Sequence, residues 1–232
     1  MPVSAGEVRV AVAANFASPM KAIAAAFTRA TGHTAALVPG ATGKLYAQIR
    51  NGAPFDLLLA ADAETPARLE REGRALAGGR FTYAVGRLVL WSAKEGYVDP
   101  EGAILRTGTF ARLAIAAPKL APYGAAAIEV LAKLDLESDL RPKFVQGENI
   151  AQTHQFVATG NAELGFVALS QVIRDGRILS GSAWIVPRDM HAPIRQDAII
   201  LARAKDNPAA RAFADFLKAE TARAIVRAHG YE

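Results

Sequence analysis

The chain has 232 residues, 51% hydrophobic and 21% charged, which is enough apolar mass for one large domain or two small ones and excludes a disordered chain. Cysteine is absent, so disulfides, thiolate nucleophiles and cysteine-held metals are excluded, and no run approaches the roughly 18 apolar residues that a spanning helix needs. The net charge of +5 comes from scattered cations such as Arg68, Arg71, Arg74, Arg80 and Arg87, not from a dense basic run, so a small anion suits it better than nucleic acid.

Met1–Ala5 carries neither a basic segment nor an apolar one. The expectation is a cytosolic protein, or a mature chain whose signal peptide was replaced by an initiator Met. From Val8 to Ala13 the sequence reads as a strand. A helix follows with Ser18 as expected N-cap, Pro19 at its first position, and Met20, Ile23, Ala24 and Phe27 on one face. Gly32 ends it. Thr34–Val38 is the next expected strand; Pro39-Gly40-Ala41-Thr42-Gly43 then leads into a helix with Leu45 and Ile49 inward, closed by Gly52. Asp56–Ala61 is nearly continuous apolar sequence, as in a strand covered on both faces. Asp56 and Asp62 flank it, and capping suits both better than paired catalytic carboxylates do. Thr65-Pro66 opens a further helix and Gly73 closes it.

After Phe81 the pattern restarts, with expected strands Arg87–Trp91 and Arg112–Ala117 and a helix Ala125–Leu134. Lys143–Val145 leads through Gly147-Glu148-Asn149 into a helix Ile150–Thr159. Gly160, a strand Leu164–Val167, a late strand Gln196–Ala202 and one helical tail Pro208–Ala228 complete the chain. Strands alternating with amphipathic helices predict an α/β fold with mostly parallel sheets. Four strand-to-helix turns stand out, at 14–18, 40–43, 118–123 and 147–150, two in each half. Ligands of open parallel sheets bind beyond the strand carboxyl ends, where helix N-termini offer unpaired N–H groups and positive dipole ends. Such turns can hold an anion without any formal cation.

Catalytic signatures are sparse. His33, His154, His191 and His229 lack metal-ligand spacing, and no serine sits in a hydrolase elbow. Gly40-Ala-Thr-Gly43-Lys44-Leu45 lacks the phosphate-loop spacing and has Leu45 where a magnesium-binding hydroxyl would stand. Trp91 and Trp184 read as core residues. The chain is therefore expected not to be an enzyme.

In the order Ala13-Ala14-Asn15-Phe16, Gly40–Leu45, Gly52–Leu57, Ala60-Ala61-Asp62, Pro122-Tyr123-Gly124, Glu148-Asn149-Ile150, Leu164–Val167 and Gly230-Tyr231, the chain resembles the periplasmic molybdate-binding proteins of ABC transporters, from Val8 to Tyr231. The resemblance implies a two-lobed periplasmic binding protein fold, each lobe a mostly parallel sheet flanked by helices, with the ligand cleft between lobes. Lobe I would comprise 1–85 and 195–232, and lobe II 86–194, with hinges near Val85-Gly86 and Ile194-Arg195. It places the oxyanion donors on Asn15, Thr42, Tyr123 and the backbone N–H of Ile150. Where many relatives have Ser, this chain has Asn15, whose amide also donates. A Tyr hydroxyl used by some relatives falls on Ala168, and Tyr123 is expected to replace it. The implied function is capture of molybdate or tungstate by a monomer, without a cofactor and with molybdenum held only as oxyanion, for delivery to a membrane permease. Alternatives left open are another oxyanion such as sulfate, or a ligand-sensing domain of the same fold, against which the lack of a helix-turn-helix before Val8 counts.

Overall fold

The structure, a computed structural model, describes residues 5–232. The first four residues, part of the expected lobe I and of the signal-peptide reading, lie outside the described residues. The chain divides into two compact units: Met1–Val85 with Arg195–Arg227 and Glu232, and Gly86–Ile194 with Ala228–Tyr231.

In the first unit, β1 (Glu7–Ala13), β2 (Thr34–Gly40) and β3 (Leu57–Leu59) form a parallel set with β1 in the middle. Between them run α1 (Ala17–Thr31) and α2 (Thr42–Arg50), and α3 (Glu64–Arg71) follows. β4 (Phe81–Gly86) closes this first passage. Ala11, Leu58, Leu45, Ile49 and Leu69 pack one sheet face against α2 and α3, as the periodicity of those segments required.

The second unit contains β5 (Leu88–Ser92), α4 (Ile104–Thr107), β6 (Leu113–Ala116), α5 (Pro122–Lys133), α6 (Glu137–Leu140), β7 (Phe144–Gly147), α7 (Ile150–Ala158), β8 (Leu164–Ala168) and α8 (Leu169–Val172). A short hairpin, β9 (Ile173–Arg174) and β10 (Arg177–Ile178), precedes β11 (Ser182–Ile185). The sheet order is β11-β5-β8-β6-β7. Its β8, β6 and β7 are parallel, whereas β5 runs antiparallel to both neighbours. Both tryptophans are core residues: the Trp91 indole N–H donates to Ser180 O at 2.9 Å, and Trp184 packs over Gly102.

The chain then returns to the first unit as β12 (Ile194–Ile200), giving the order β2-β1-β3-β12-β4 with β12 antiparallel to β3. Two helices follow, α9 (Pro208–Lys218) and α10 (Glu220–Ala228). Phe213 on α9 meets Phe27 on α1 edge to face at 4.9 Å and closes the other side of the sheet.

Three element boundaries correct the sequence expectations. Ser18 is not the first N-cap: a 3-10 turn Ala14–Phe16 begins where β1 ends, and α1 starts at Ala17 with Phe16 before it. The chain is already helical when it reaches Ser18, and Pro19, third in the helix, still falls among amides with no intrahelical acceptor. α5 starts at Pro122 rather than Ala125, because proline suits a first helical position. The expected single tail helix breaks at Ala219, which is extended (φ −72°, ψ 153°). Phe213 and Leu217 are out of helical phase with Ala222 and Val226, and the break lets both pairs face inward.

Candidate functional site

In the first unit, Ala13 pairs with Gly40, so β1 and β2 end side by side and their following turns are neighbours. Asn15 sits in the turn after β1 and Thr42 opens α2 after β2; both side chains are buried. The Thr42 hydroxyl oxygen accepts from Ala61 N–H, beyond the end of β3, at 3.0 Å. Because β1 lies between β2 and β3, this bond spans the end of β1, from which Asn15 emerges. Asn15 Nδ2 in turn donates to Gln196 Oε1 on β12 at 2.8 Å. The structure thus brings Asn15 and Thr42 to one end of one sheet.

α2 begins without a side-chain cap: its N-cap is Ala41, and Leu45 N–H is the first to find an intrahelical acceptor, Ala41 O, at 3.0 Å. The amides of Thr42 and Gly43 therefore face outward at a positive dipole end. Nearby, Asp62 accepts from Thr65 N–H at 2.7 Å and from the Thr65 hydroxyl at 3.1 Å, the capping role expected of it. Burial pushes its carboxyl pKa up, opposed by those two bonds. Asp56 accepts from Arg9 N–H at 2.8 Å, a structural tie between strands.

The second unit repeats the scheme. Ala116 pairs with Gly147, and Ala117 N–H donates to Gly147 O at 2.7 Å, so the turns after β6 and β7 adjoin. Tyr123, buried, is second in α5, and Ile150 is first in α7. The first turn of α5 rests directly on the end of β6: a Cβ on Gly124 would lie 2.2 Å from Ala116 O. At α7 the Asn149 side chain accepts from Ala151 N–H at 2.9 Å and Gln152 N–H at 3.0 Å. Asn149 thereby satisfies the second and third amides and leaves the first, Ile150 N–H, with no acceptor among the described residues. Gln171, after β8, accepts from Ala168 N–H at 2.9 Å and donates to Ile150 O at 3.1 Å. That bridge crosses the end of β6 as the Thr42–Ala61 bond crosses the end of β1. The Glu148 side chain is exposed.

The structure therefore pairs the sequence-chosen residues within each unit, Asn15 with Thr42 and Tyr123 with Ile150. Sequence reasoning missed Gln196, Tyr83 and Gln171, which hold those turns in place. The one available signal was a polar Gln196-Asp197 opening an otherwise apolar strand. Among the described residues, no group of three or more His, Cys, Asp or Glu side chains could hold a metal ion. The arrangement can grip a small acceptor of hydrogen bonds.

Residues 8–232 match the family model described as bacterial extracellular solute-binding protein. The chain is 60% identical to the Molybdate-binding protein ModA of Azotobacter vinelandii over 98% of this chain and 90% of that protein. It is 52% identical to the protein of the same name in Rhodobacter capsulatus, over 100% of this chain and 90% of that one. The solved Azotobacter vinelandii periplasmic molybdate-binding protein superposes with a TM-score of 0.94 at 40% identity, covering 97% of this chain and 98% of that one. From the first strand to the last residue, the chain belongs to the bacterial extracellular solute-binding protein family.

Proposed function

We propose that this protein captures molybdate or tungstate in the periplasm and hands it to the membrane permease of an ABC importer. In this reading Asn15 and Thr42 from lobe I (1–85 and 195–232) and Tyr123 and Ile150 N–H from lobe II (86–194) donate to one oxyanion. The protein acts as a monomer, makes and breaks no covalent bond, and holds molybdenum only through its oxygens. The observation that carries the proposal is the pair of incompletely capped helix starts, at α2 and α7, beside buried neutral donors. The 60% identity to a molybdate-binding relative supports the choice of anion.

The chemistry is consistent with that choice. Molybdate and tungstate are dianions at neutral pH and only accept hydrogen bonds. Hydrogenphosphate keeps a proton that wants an acceptor, and turns 14–18, 40–43 and 118–123 contain no Asp or Glu. Fixed amide and hydroxyl dipoles stabilise a dianion with no ion pair to desolvate, each charge-assisted bond contributing about 1.5–3 kcal/mol. Equilibrium dialysis of the full chain against micromolar sodium molybdate, with molybdenum counted by elemental analysis, tests the proposal. Stoichiometric retention is expected; no retention above a protein-free control contradicts it.

A further inference from the structure

We infer that Gln196 is a positioning residue for the anion donor Asn15, fixing which way its amide points; this rests on the reading of Asn15 as a donor. Gln196 is wholly buried on β12, and its Oε1 accepts from Asn15 Nδ2 at 2.8 Å, although 181 positions separate them in sequence. The same oxygen lies 3.0 Å from the Tyr83 hydroxyl, which also reaches Ala60 O at 2.9 Å. The Tyr83 ring is held edge-on to Phe16, the residue after Asn15, with centroids 4.7 Å apart. A chain of contacts thus runs from the end of β3 through Tyr83 and Gln196 to Asn15.

A carboxamide donates at one end and accepts at the other, and rotation about its last bond exchanges them. For a ligand that only accepts, the two orientations have opposite sign. The single Tyr83 hydroxyl proton, shared between Gln196 Oε1 and Ala60 O, keeps the oxygen of Gln196 on this side, and an acceptor there requires the nitrogen of Asn15 to face it. The two hydrogens on a planar amide nitrogen diverge by about 120°, so a bond from one sets the direction of the other. Asn15 is thereby oriented before any ligand arrives, which removes an ordering cost from binding. A serine hydroxyl could rotate to suit a ligand; an amide in that turn needs a partner to orient it.

Titration calorimetry with sodium molybdate on the full chain tests this, using Gln196→Leu, Asn15→Ala and the double variant. Gln196→Leu is expected to weaken binding by roughly tenfold, the scale seen when the outer partner of a ligating group is removed. In the Asn15→Ala background the same change should cost less than about twofold, because the residue it positions is gone. Tyr83→Phe, which keeps the ring against Phe16, should weaken binding in the same direction and show the same dependence on Asn15. Should Gln196→Leu fail to fold, the Tyr83→Phe cycle decides the question alone. Parent-like affinity of Gln196→Leu, or a loss undiminished in the Asn15→Ala background, overturns the inference. Parent-like affinity of Asn15→Ala instead removes Asn15 from the donors, and this inference with it, while stoichiometric molybdate retention would leave the capture function standing.

Discussion

Thr42 Oγ1 accepts from Ala61 N–H, which directs the hydroxyl proton away from that contact. On the proposed reading, Thr42→Ala removes a donor to the anion, and it leaves the Ala61 amide without its acceptor. Molybdate affinity should fall by roughly tenfold or more, while Thr42→Ser, which restores both roles, should recover most of it; unchanged calorimetric affinity in Thr42→Ala would exclude Thr42 from the site. His154 shows a residue whose function is packing. Its ring stacks on Trp91 with centroids 4.9 Å apart, and burial lowers its pKa from 6.5. A folded-state pKa below the unfolded one means that its contribution is intact above about pH 6.5 and is lost as pH falls, because the unfolded chain takes the proton first. Melting temperature measured from pH 7.5 to 5 should therefore fall less steeply in His154→Phe than in the parent; an identical slope would contradict this.

At the scale of elements, the helix starts bear on stability and on the proposed binding. Asn149→Ala deletes the cap that serves Ala151 and Gln152, and should cost about 1 kcal/mol in denaturant unfolding. Gly124→Ala drives a Cβ into Ala116 O and should cost about 1–3 kcal/mol, pushing α5 off the end of β6 and Tyr123 with it; a parent-like unfolding midpoint would refute that packing account. Most elements were legible in sequence because their signals are local: the apolar run at Asp56–Ala61, the inward face of Leu45 and Ile49, the glycine stops. The antiparallel course of β12 and β5 was not, since hydrophobic runs carry no direction. The break at Ala219 was hidden because both halves of the tail are good helix formers, and only the phase of their apolar faces separates them. The proposed donors Asn15, Thr42, Tyr123 and Ile150 were named through the family resemblance, on turns that the strand-helix pattern had already picked out. Gln196 and Gln171 act from distant strands and turns, across 181 and 21 positions respectively, and short-range pattern does not encode such pairs.

At the scale of the whole molecule, two units built on the same plan each place two strand-to-helix turns at the ends of neighbouring parallel strands. Among the described residues, no helix is long and apolar enough to cross a membrane. The proposal depends on neutral donors choosing an unprotonated dianion, with size separating molybdate and tungstate from the smaller sulfate. The most direct test is the melting temperature of the full chain in the presence of molybdate, tungstate, sulfate or phosphate. A ligand present at 100 times its dissociation constant adds about 2.7 kcal/mol to stability. Molybdate and tungstate should each raise the melting temperature at micromolar concentration while phosphate leaves it unchanged and sulfate acts, if at all, only at far higher concentration; no shift with any of the four, or a shift with phosphate alone, would contradict the account.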